Sequence, residues 1–162
     1  FNWDNPKSIG KYHTMITKHI IQHNGCFGWN TSLFREIITS GKHRWSFRIR
    51  SQGKRGIDIG IWRATYGQFT WNKSFVEDGN GYCYNVGYGQ KYDGNIFENY
   101  GTECKKHDIV SMYFDADNCV LRFSVNDEDQ GIAYYVENKR YRAAVGTAHP
   151  DESVEFIHYK QY

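Results

Sequence analysis

Proline and the strong helix formers are what this chain has least of. Pro6 and Pro150 are its only prolines, and 162 residues include only two leucines and six alanines. A sequence so poor in residues of high helical propensity argues against a helical domain. No run of about 20 apolar residues occurs, so no segment is read as a membrane-spanning helix. The short motifs that announce common chemistries are missing too. The cysteines form no CxxC pair and no zinc-ribbon spacing. The pairs Gly79/Gly81 and Gly87/Gly89 do not continue to a phosphate-cradling GxGxxG, because Tyr84 and Tyr92 stand where the third glycine belongs, and no GK[ST] follows. GxSxG is absent, and no cysteine sits in a local nucleophile signature beside a base.

What is present points one way. Aromatic residues make up 17% of the chain and glycines number 16, in an otherwise ordinary globular mixture of 40% hydrophobic and 23% charged residues. Aromatic-rich, glycine-punctuated and helix-poor reads as all-β. The length predicts a single domain over residues 1–162, large enough to bury a core without disulfide or metal staples. Cys26, Cys83, Cys104 and Cys119 are therefore read as reduced thiols. The chain starts at Phe1 and is expected to be a piece of a longer protein. Its net charge of +2 hides an asymmetry: residues 1–81 carry 12 basic against 5 acidic side chains, and residues 82–162 carry 8 against 13.

Alternation at period two dominates the chain. Trp45, Phe47 and Ile49 alternate with Arg44, Ser46, Arg48 and Arg50, giving one core face and one basic face. After a Gly53–Gly56 turn, Ile57, Ile59 and Ile61 share one parity, so the two segments are expected to form a hairpin, with Gly60 against a closely packed neighbour. Val110, Met112 and Phe114 lead through an Asp115–Asn118 turn to Cys119, Leu121, Phe123 and Val125, and an Asn126–Gly131 turn follows. Val154 and Phe156 alternate near the end, Tyr12–Gln22 reads as another strand, and Arg63–Asn80 as a long loop or broken strand. Turn signals every 8–12 residues with no internal repeat predict a two-layer antiparallel sandwich.

Candidate chemistries are weighed against ordinary structural roles. His19 and His23 have the i, i+4 spacing of a helical metal pair, but among β-branched neighbours a strand would set them about 13 Å apart. Asp115, Asp117, Asp127, Glu128 and Asp129 lack the register of a calcium loop and read as solvated turns. The basic run Lys42–Arg55 reads as the outward face of a strand rather than a nucleic-acid surface. Two carboxylates placed by the fold for glycoside hydrolysis remain open at this level. The sequons at Asn30 and Asn72 matter only in a secretory setting.

Several segments together resemble one family. Ser40-Gly41-Lys42-His43-Arg44-Trp45-Ser46-Phe47 is similar to the SGKHYWEF-type strand that opens SPRY domains. In order there follow Gly60-Ile61; Tyr100-Gly101 with Lys106-His107-Asp108-Ile109-Val110; Phe114 to Asn126, similar to "lDldngtLsFslNG"; Gln130-Gly131-Ile132-Ala133; and the closing Tyr141–Val145 and Glu152–Phe156. The resemblance spans about residues 40–159, with residues 1–39 expected to supply outer strands. His107, Cys119 and Asp127 stand where the family usually has glycine, and Ala143 where proline is common.

The resemblance implies a concanavalin-like sandwich serving as a protein–protein interaction module, with no catalytic residues, metal or cofactor. It implies an adaptor-type part of a larger cytoplasmic protein in a eukaryote, monomeric in isolation, recognising a protein or peptide and neither nucleic acid nor membrane. The family's peptide-holding loops map onto Asn30 and Arg35, Arg63 and Tyr66, Tyr92, and Ala148, His149 and Pro150. A lectin-like sandwich that reads sugars, with Trp62, Trp71 and the sequons as its support, is the alternative.

Overall fold

A computed structural model describes residues 13–53, 55–64 and 74–162. Two antiparallel sheets face each other. One has seven strands in the order β1 (His13–Thr17), β2 (Ile20–His23), β13 (Ser153–Gln161), β4 (Lys42–Ser51), β9 (Ile109–Asp115), β10 (Val120–Val125) and β11 (Glu128–Tyr135). The other has six in the order β3 (Asn30–Leu33), β12 (Tyr141–Thr147), β5 (Asp58–Arg63), β6 (Gly81–Asn85), β7 (Gln90–Tyr92) and β8 (Phe97–Asn99). The expected all-β, two-layer architecture is what forms.

The alternating apolar residues meet between the layers. Trp45, Phe47, Phe114, Leu121 and Phe123 are buried there, opposite Ile59, Ile61, Tyr84 and Val145. Rings from the two sheets meet edge-on, Tyr84 on Phe123 at 5.3 Å and Phe114 on Tyr141 at 5.4 Å, the arrangement that ring quadrupoles favour. Gly60 is required where it stands: a Cβ there would lie 1.9 Å from the Tyr82 carbonyl oxygen on the neighbouring strand.

Three expectations about neighbours change. The segments Arg44–Arg50 and Ile57–Ile61 are not a hairpin, because β4 pairs with β13 and β9 while β5 pairs with β12 and β6 in the opposite sheet. The connection crosses the sandwich through Gly53 and Arg55, both with left-handed backbone (φ 49° and 68°). Alternation says which face a strand buries, not which strand lies beside it. Of Tyr12–Gln22, Tyr12 lies outside the described residues and the rest is two strands rather than one. The chain reverses where the Thr17 hydroxyl accepts the His19 amide at 3.1 Å, a turn made without glycine or proline. The turn expected over Asn126–Gly131 closes in two residues, since Asn126 and Asp127 both have positive φ, as a type I′ hairpin demands, and Gly131 instead lies in an irregularity of β11.

The departures from family glycines fall at strained positions. His107, Cys119 and Asp127 have φ of 78°, 57° and 66°. A side chain in this region costs about 1–2 kcal/mol, partly offset by the unfolded-state entropy that glycine adds. Cys119→Gly is therefore expected to raise stability by about 0.5–1 kcal/mol in urea unfolding.

Candidate functional site

Loops from both layers converge where β5 begins and β12 ends. Glu152, fully buried, organises them. Its carboxylate accepts the amides of Ala148 at 2.8 Å and His149 at 2.6 Å on one side, and that of Gly56 in the β4–β5 connection on the other. A Cβ at Gly56 would come within 2.7–2.9 Å of His149, Ala148 and Glu152, so glycine is what lets the two loops approach. The His149 ring lies 5.1 Å from that of Phe27, which is 65% exposed.

The β6–β7 turn is positioned from the outer face of the six-stranded sheet. Asn85 donates to the buried Asp58 carboxylate at 2.9 Å and accepts the Tyr88 amide at 3.2 Å. Burial, with the charge of Glu152 adding to it, raises the Asp58 carboxyl to about 7. Between these loops lies a groove of about 410 Å³. Trp29, Arg55, Tyr88 and His149 form its rim, with Asn85, Gln90 and Phe97 coming from the sheet. The Arg55 guanidinium stands 5.9 Å from the Tyr88 ring and 3.5 Å from the Glu103 carboxylate. Aromatic and arginine side chains around a concave floor are the chemistry that dominates polypeptide recognition.

The sequence-derived residues are distributed along the sheet rather than gathered. Asn30 pairs with Thr147, and Ala148, His149 and Pro150 follow directly, so these four are neighbours at one end of β12. Of the four only His149 lines the groove; Asn30 and Ala148 are fully buried and Pro150 is exposed. Tyr92 lies midway along the outer face, its ring flat on Phe97 at 3.9 Å and against the cluster of Leu33, Trp62, Phe75 and Cys83. Arg63 stands opposite Tyr141 at the far end of β5, about 17 Å of strand from Asp58, and pairs with Glu137 at 3.1 Å. Arg35 is exposed beyond β3, toward the same far end. Tyr66 lies outside the described residues.

Trp29, Arg55, Tyr88 and Phe97 escaped the sequence reading. Only Tyr88 had a local signal, an aromatic between Gly87 and Gly89 in a tight turn. The supports for sugar recognition weaken: Trp62 is 8% exposed beneath Phe75 and Val76, and the Asn30 side chain is buried. Trp71 and Asn72 lie outside the described residues. The four cysteines are free thiols. Among the described residues no group of three or more His, Cys, Asp and Glu side chains is arranged to hold a metal ion, and no helix is long and apolar enough to cross a membrane.

Two antiparallel sheets stacked face to face, with a loop-rimmed groove at one end, define a domain of the β-sandwich class. The SPRY domain profile matches residues 42–161, about three-quarters of the chain, and the chain belongs to the SPRY domain family, a family of protein-interaction modules. Over 62 residues it is 36% identical to the ATP-dependent RNA helicase DDX1 of Xenopus laevis, a match covering 38% of this chain and 8% of the helicase. The chain thus spans a small fraction of that relative's length. The SPRY domain of human HERC1 superimposes with a TM-score of 0.78 at 19% identity, covering 94% of this chain and 96% of that one. The TRIM65 PSpry domain gives 0.74 at 11% identity, covering 95% and 87%. At these identities the likeness speaks to fold alone.

Proposed function

We propose that this domain recognises a segment of a partner polypeptide in the groove between the Gly56, Tyr88 and His149 loops, without catalysis or cofactor, as one part of a larger cytoplasmic protein. The observation that carries this reading is the buried Glu152 carboxylate, which ties the two rim loops together before any partner arrives. A preformed site avoids the ordering cost of binding, so a short segment can be held by a few aromatic anchors. Tyr92 supports the groove from below, its ring stacked on that of Phe97, which lines it. Arg63 belongs to the same interface only if the partner runs the length of the six-stranded sheet.

A peptide selected from a displayed random library against the intact chain provides the probe. Tyr88→Ala is expected to weaken its binding at least tenfold, about 1.4 kcal/mol, with an unchanged thermal midpoint, because the Tyr88 ring is half exposed and outside the core. Arg63→Ala measured alongside reports how far the segment extends. Unaltered affinity in both Tyr88→Ala and Tyr92→Ala would remove the groove from the interface.

A further inference from the structure

The outer face of the seven-stranded sheet carries a second hollow of about 380 Å³ that shares no lining residue with the groove. It is lined by Arg48, Arg50, Lys106 and His107, with the Glu155 carboxylate held against the two arginines. Arg48 and Arg50 are two apart on β4 and so project on one face. Lys106 and His107 form the corner of a tight turn before β9. That turn is fixed by three main-chain bonds: Asp108 N to Lys105 O at 3.1 Å, His107 N to Ile49 O at 2.7 Å, and Ile49 N to Asp108 O at 2.9 Å.

The nearby carboxylates are already engaged. Asp108 accepts the Lys105 amide at 2.7 Å and the Asn126 side-chain amide at 2.9 Å. Glu155 lies between the two guanidinium groups, one of its oxygens 3.2 Å from Arg48 and 3.4 Å from Arg50. One carboxylate cannot neutralise two guanidinium groups and the Lys106 ammonium, and each guanidinium retains further N–H donors. His107 adds a second observation. It occupies the third position of the turn with φ 78°, a conformation glycine adopts most readily, and this backbone carries the imidazole at the rim beside Lys106.

We propose that this hollow binds a phosphate monoester dianion carried on a partner polypeptide. Forked guanidinium donors match phosphate oxygens in pairs, and a monoester carries nearly two charges near neutral pH. A nucleic-acid backbone fits less well. Its single-charge diesters need a continuous basic track, and the neighbouring β10–β11 turn presents Asp127, Glu128 and Asp129 instead.

The test is an NMR titration of the chain with an Ala-phosphoserine-Ala peptide, its unphosphorylated counterpart, inorganic phosphate and a single-stranded oligouridylate. The phosphopeptide is expected to shift the Arg48 and Arg50 side-chain N–H signals and the His107 ring, and the unphosphorylated peptide to shift none of them. Lys106→Ala is expected to weaken the phosphopeptide about tenfold at an unchanged thermal midpoint. His107→Gly is expected to weaken it similarly while raising the midpoint, a pairing that a merely structural histidine would not produce. Unchanged affinity in both variants overturns the site. Binding of inorganic phosphate without the phosphopeptide, or tighter binding of the oligouridylate at the same residues, overturns the polypeptide carrier.

Discussion

Glu152→Ala is expected to cost about 3–5 kcal/mol in urea unfolding and to abolish capture of the library peptide. The carboxylate is fully buried and accepts three main-chain amides from two loops, so its removal leaves those donors dry and unpaired at once. Glu152→Gln separates charge from shape. It keeps one acceptor oxygen but turns an NH2 group toward donors, and is expected to cost about 2 kcal/mol or more. Hydrogen exchange at Gly56, Ala148 and His149 is expected to accelerate in both variants. A loss under 1 kcal/mol in Glu152→Ala, with exchange at those amides unchanged, would show that the loops hold their shape by packing alone.

The second large effect is pH dependence. His13 on β1 is buried between the sheets, its ring nitrogens 2.5 Å from the Ser32 hydroxyl and 2.7 Å from that of Thr147, which also meets His23 at 2.7 Å. Burial, with His23 adding to it, lowers His13 from 6.5 to about 3. The unfolded chain therefore binds a proton below pH 6.5 that the native fold refuses. This contribution to stability is complete above pH 6.5 and is lost as pH falls toward 3, with about 2 kcal/mol gone by pH 5.

Asp58 acts in the opposite sense. Its carboxyl rises from 3.8 to about 7, so between those values the native fold binds a proton that the unfolded chain does not, and falling pH favours the fold. Over pH 4–6.5 the two slopes nearly cancel. Asp58→Asn removes one of them, and is expected to be more stable than the wild type at pH 8 and to lose about 2 kcal/mol more than it between pH 6.5 and 5. His13→Asn is expected to tilt the profile the other way. Urea unfolding across pH for the three proteins checks this, and parallel profiles would refute it. Because His13 holds the β1–β2 hairpin to β3 and β12, amides of that hairpin are expected to open first in acid.

The buried faces were legible in the sequence because alternation is a local property: Trp45, Phe47, Phe114, Leu121 and Phe123 lie where their parity puts them. Pairing was less legible. The β4–β5 connection could as well have made a hairpin as crossed between layers, and only the claims of β9 and β13 on the two edges of β4 decide the matter. The His13–His23 pair was invisible for a related reason. A turn without glycine or proline at Lys18–His19 brings the two residues opposite each other, whereas the linear spacing drew attention to His19 and His23.

The sequence alone determined the all-β class, the inward residues of the central strands and the family, since each rests on short-range periodicity or on ordered motifs. Tertiary structure decided which loops share a rim. Strand length places Arg63 and His149 at opposite ends of one sheet, while a single buried carboxylate draws Gly56 and His149 together across nearly a hundred residues of chain. Contacts of that range depend on the stacking of the two layers, and no window of sequence contains both partners.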